Sequence, residues 1–86
     1  MEKAELVQYI EGIKAEILQS TRKTYIISTR LNRLYLLLKK YSDINENSKL
    51  KEYAINVADM GHGYGKDGSY DKNKMVKILN QILELL

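Results

Sequence analysis

The chain has 86 residues, a formal net charge of +3 and 44% apolar residues, with no Cys, Pro, Trp or Phe. That length allows one small domain held by packing alone. The absence of cysteine excludes a disulfide framework and thiolate metal sites. The longest apolar run, Leu34 to Leu38, is far too short to span a membrane, and Met1 to Leu6 has no apolar signal segment, so a cytoplasmic protein without a membrane role is expected.

Taken from the N-terminus, the apolar residues Leu6, Ile10, Ile13 and Ile17 are spaced as one face of a helix, and Ile27, Leu31, Leu34, Leu38 and Tyr41 repeat the pattern. The two runs share one phase through Ser20 and Thr24, and neither Gly nor Pro lies between Ile13 and Met60. The spacing therefore predicts one long amphipathic helix over about residues 2–42, with 20–24 the place where it could break. Such a helix would be about 60 Å long at 1.5 Å per residue. Two shorter helices could not cover its apolar seam, so an oligomeric, coiled-coil-like bundle is expected. Gly12 weakens its helix; a tolerated cost is the simpler expectation, and the close approach of another helix the alternative.

Asp43 to Ser48 is polar and turn-like, and Asn47 or Ser48 suits the start of a helix over 48–60. Four of the five glycines then fall in 61–70, which predicts an irregular loop with Gly61 as the helix stop. Ser69 or Asp71 begins a last helix, about 71–86, that is apolar on more than one face. The expected fold is a single all-α domain, 1–86. The abundance of Lys, Ile, Asn and Tyr resembles proteins of AT-rich genomes, among them phages and other mobile elements of low-GC bacteria.

Charge is distributed unevenly. Residues 20–42 hold Arg22, Lys23, Arg30, Arg33, Lys39 and Lys40 and no acid, which leaves the rest of the chain at −3. On a helical wheel Arg22, Thr29, Arg33 and Lys40 cluster nearly opposite Leu31, flanked by Tyr25 and Leu36. A linear cationic surface of this kind suits phosphate or carboxylate, because the arginine fork binds either in bidentate fashion. The competing expectation is an ordinary solvated face balanced by nearby glutamates.

Chemistry-bearing motifs are sparse. Gly63-Tyr64-Gly65-Lys66-Asp67-Gly68 matches the letters of a dinucleotide fingerprint but follows a helix rather than a strand, so that match is discarded. Read as a calcium loop around Gly68, the segment lacks three acidic ligands and puts Lys74 at the final position. His62 is the only histidine, with carboxylates alone for company, so neither a metal site nor a catalytic triad can be assembled. His62, Tyr64, Lys66 and Tyr70 could instead form a partner-binding loop, since tyrosines are frequent interface anchors. The expectation is a non-enzymatic interaction protein, without cofactor or metal, that binds and modulates or inhibits a larger protein or associates with itself. The alternative is a nucleic-acid or anionic-nucleotide binder using the stripe Arg22–Lys40.

Overall fold

The computed structural model describes residues 2–20, 25–66 and 71–86, with backbone only over 62–66. Four helices follow in order: α1, Lys3–Gln19; α2, Tyr25–Ile44; α3, Ser48–Lys66; and α4, Lys72–Leu85. Among the described residues each helix packs against its neighbour in the chain, and α4 closes back on α1, whereas the backbones of the diagonal pairs do not approach closely. Cross-links such as Ser28 with Gly61 and Asp43 with Lys51 make α2 and α3 antiparallel, and Lys72 reaching Leu18 does the same for α4 and α1. The result is an up-down-up-down four-helix arrangement.

The expected single helix over 2–42 is corrected. At Ser20 the backbone is extended (φ −73°, ψ 136°), and its N–H closes α1 on the Glu16 carbonyl. The molecule measures 35 × 20 × 18 Å, and its radius of gyration of 12.1 Å is that of a compact chain of this length. A helix of about 60 Å has no place in it. Two forces favour the reversal. Ser20 to Thr24 is rich in hydroxyl and β-branched residues with weak helix preference. Reversal also lets the stripe of α1 face that of α2 within one chain, where a continuous helix would leave both in water. The shared phase arises because the interval from Ile17 to Ile27 happens to suit a 3–4 count.

The core holds Leu6, Ile10, Ile13, Ile17, Ile27, Leu31, Leu34, Leu38, Leu50, Ala54, Val57, Met75, Leu79 and Ile82, none more than 6% exposed. Each large side chain removed from water contributes about 2 kcal/mol. The seam that would have required an oligomer is thus covered intramolecularly, and the burial argument for self-association falls with the long helix. The apolar surplus of α4 is absorbed likewise: Val76, Ile78, Leu83, Leu85 and Leu86 are partly buried against the core.

The helix ends are closed by local chemistry. Glu46 adopts a left-handed conformation (φ 51°), and the Asn47 N–H reaches the Ser42 carbonyl at 3.0 Å, the pattern of a Schellman stop after α2. The Asn47 side chain then accepts from the Leu50 N–H at 3.0 Å and starts α3; Asp71 does the same for α4 through the Lys74 N–H. Lys72 donates to the Leu18 carbonyl at 3.4 Å, placing a cation on the exposed end of α1.

A second correction concerns the glycines. The helix expected to end at 60 continues to Lys66, so 61–66 is helical rather than an irregular loop, and 67–70 lies outside the described residues. Gly61 is not a helix stop but a contact point: a Cβ there would lie 2.6 Å from Asn32 Oδ1 and 3.3 Å from Leu31 Cβ. The Ser28 hydroxyl donates to the Gly61 carbonyl at 2.9 Å. The missing side chain is what lets α3 close on α2.

Candidate functional site

The inward side of α2 is fixed by Ile27, Leu31, Leu34 and Leu38, and at 100° per residue this forces Thr29, Arg33, Leu36 and Lys40 outward. All four are exposed. Tyr25 is 86% exposed at the start of the helix, Ile26 64%, Leu36 63% and Ile44 69%. The outer surface of α2 thus alternates large apolar side chains with cations. Among the described residues Arg33, Lys39 and Lys40 make no ion pair, and the acid at the end of α2, Asp43, is held by Lys51 at 3.2 Å.

Arg30 leaves this group. It faces α1, where it pairs with Glu16, and its guanidinium carbon sits 5.1 Å from the centre of the Tyr9 ring. The Tyr9 hydroxyl donates to the Arg30 carbonyl at 3.4 Å. A Cβ on Gly12 would lie 3.1 Å from the guanidinium, so Gly12 is the floor of a cradle walled by Tyr9 and Glu16, spaced three and four residues along α1. Of the two readings of Gly12, a tolerated cost and the close approach of another helix, the contact found is neither in pure form: the atoms facing it belong to the Arg30 side chain. Arg30 latches α1 to α2.

The remaining sequence candidates are placed as follows. Arg22 and Lys23 lie outside the described residues, as does Tyr70. The backbones of His62, Tyr64 and Lys66 belong to the last turns of α3, at the end of the bundle where α2 begins. Sequence reasoning missed Ile26 and Ile44 as surface residues. Their signal was available in a second 3–4 count, Ile26, Thr29, Arg33, Leu36, Lys40 and Ile44, running opposite the core stripe.

Clefts lined by the described residues include two at helix surfaces. One, of about 360 Å³, lies between the start of α1 and the end of α2 and is lined by Glu2, Lys3, Leu37, Lys40, Tyr41, Ile44 and Asn45. The other, of about 410 Å³, runs along α4 beside Leu18. Among the described residues no three His, Asp or Glu side chains gather as a metal site, no buried side-chain polar atom lacks a partner, and no helix is long and apolar enough to cross a membrane. Compared with protein-family models, curated proteins and solved structures, the chain has no significant match.

Proposed function

We propose that this chain is a non-enzymatic interaction protein that docks onto a larger protein and modulates or inhibits it by covering part of its surface. One observation carries the reading. Of six large apolar residues left well exposed among those described, four (Tyr25, Ile26, Leu36 and Ile44) lie on α2, while the core beneath is closed. Singly exposed apolar residues are ordinary, and it is the gathering of four on one helix of so small a domain that supports reading α2 as a binding surface. Tyr25 and Arg33 are of the residue types enriched at interfaces, while Lys40, of a type depleted from interface cores, suits a polar rim. The sequence supports the non-enzymatic part, with one histidine, no cysteine and no nucleophile-base pairing.

A photoreactive residue in place of Leu36, activated in the native host cell, tests the reading. A discrete protein adduct is expected from position 36 and none from the same probe at Lys77 on α4. Equal labelling from both positions removes the proposal.

The exposed Arg33, Lys39 and Lys40, without an ion pair among the described residues, favour a second reading, binding of nucleic acid or an anionic nucleotide. It predicts affinity that falls steeply with salt, and Arg33→Ala and Lys40→Ala variants that flatten that slope by about one ion each. With Arg30 engaged by Glu16, the cationic stripe has fewer free charges than the sequence suggests.

A further inference from the structure

Resting on the docking reading, we propose that the outward face of α2 receives one kind of occupant: an acidic amphipathic helix of the partner protein, laid lengthwise along it. Periodicity is the first reason. Ile26, Thr29, Arg33, Leu36, Lys40 and Ile44 form a straight helical stripe, about 27 Å from end to end. The 3–4 spacing is the one with which a second helix packs lengthwise, here with three apolar positions, Ile26, Leu36 and Ile44, separated by Thr29, Arg33 and Lys40.

Charge is the second reason. Arg33 and Lys40 stand between the apolar residues, Lys39 flanks them, and none is neutralised among the described residues. A helix with apolar residues on one face and carboxylates along its edges would bury Ile26, Leu36 and Ile44 and pair with those cations together. At the Ile44 end the stripe opens into the 360 Å³ cleft, where Leu37 and Ile44 offer an apolar wall beside two cations, Lys3 and Lys40, and one carboxylate, Glu2. An apolar side chain with an acidic neighbour fits that lining.

The same features disfavour other occupants. A second copy packed face to face on α2 would set cations against cations. A phosphate backbone would meet three large apolar side chains along this stripe and gain little from covering them.

The test uses the full-length protein and fluorescence anisotropy with three labelled probes. The first is a helix-forming peptide of about 21 residues, matching the stripe in length, with Leu on a 3–4 row and Glu on both edges. The second replaces every Glu with Lys, and the third is a single-stranded oligonucleotide. Binding of the acidic peptide alone is expected. Arg33→Glu and Leu36→Gln should each weaken it about tenfold or more, and Lys77→Glu, the same charge change on the helix diagonal to α2, by less than about twofold. Circular dichroism of each variant verifies that this exposed face was changed without unfolding the bundle. Failure of the acidic peptide to bind, equal binding of the Lys twin, or equal sensitivity to Lys77→Glu overturns the proposal. So does tighter binding of the oligonucleotide, or a dimer dissociated by Leu36→Gln. If the acidic peptide fails while crosslinking from position 36 persists, the docking reading stands and only the partner's chemistry is wrong.

Discussion

Two helical glycines, Gly12 and Gly61, lie one at each seam of α2, and the molecule uses them differently. At the α2–α3 seam Gly61 faces Leu31 Cβ and Asn32 Oδ1, atoms near the α2 backbone, and its carbonyl accepts from Ser28. At the α1–α2 seam Gly12 faces only the tip of the Arg30 side chain. One glycine lets two backbones approach, and the other makes room for a charged group that spans a wider gap. Each weakens its helix by about 1 kcal/mol relative to Ala, so the compensation differs while the local penalty is shared. The α2–α3 seam is accordingly sensitive to volume, and the α1–α2 seam to charge and reach.

The comparison is broken most directly at Gly61. Gly61→Leu should lower stability by about 2 kcal/mol or more, because the added volume meets Leu31 Cβ, which is held by the core. Gly61→Ala should be milder, since Asn32 is exposed and its amide can swing aside. Urea unfolding measures both. An unchanged midpoint for Gly61→Leu, with an unchanged slope, would mean that the helices do not approach closely there.

Arg30→Ala comes next, at about 1 kcal/mol. Its side chain and that of Glu16 are 27% and 38% exposed, so solvent screens the pair and the Coulomb part is small. The contact with the Tyr9 ring and the packing of the stem over Gly12 supply the rest. If this division is right, the loss should shrink only in part between about 0.05 M and 1 M salt. A loss abolished by salt would assign the latch to the ion pair alone.

Ser28→Ala removes the hydroxyl that donates to Gly61 and should cost about 0.5–1 kcal/mol. Its effect should be non-additive with Gly61→Leu, because both act on one contact. Full additivity, measured in the double variant, would separate the hydrogen bond from the close approach.

These contacts explain what was legible in the sequence. The stripes of Leu6 to Ile17 and Ile27 to Leu38 could be read because burial imposes its period on each helix separately, and the wheel that sets Arg33 and Lys40 opposite Leu31 matches their exposure. The reversal after Ser20 was hidden because the phase survives it, and phase records which face is buried, not which chain segment buries it. Gly61 read as a stop because glycine after an amphipathic run has two meanings, a left-handed cap or a close approach. Only Leu31 and Asn32, some thirty residues away, select between them. Arg30 was grouped with the cations by sequence proximity, although it lies off the sector shared by Arg33 and Lys40. Its engagement with Tyr9, Gly12 and Glu16 depends on α1 lying alongside, which local pattern does not encode.

The smallest expected effect has the opposite sign and tests the other half of the comparison. Gly12→Ala should stabilise the protein by about 0.5 kcal/mol, recovering roughly half of the helix-propensity difference. Its Cβ would come within 3.1 Å of the guanidinium, but that group ends a flexible chain and can shift by the few tenths of an ångström required. The shift disturbs the fit against Tyr9 and Glu16, so part of the gain should be lost in the native background. Repeating the substitution in Arg30→Ala removes the obstruction, and the gain should rise to about 1 kcal/mol. The difference between the two gains is the coupling of Gly12 to the latch, which a double-mutant cycle isolates. Equal gains in both backgrounds would show that Arg30 does not rest on Gly12, leaving the cradle as a pairing of Tyr9 and Glu16 alone.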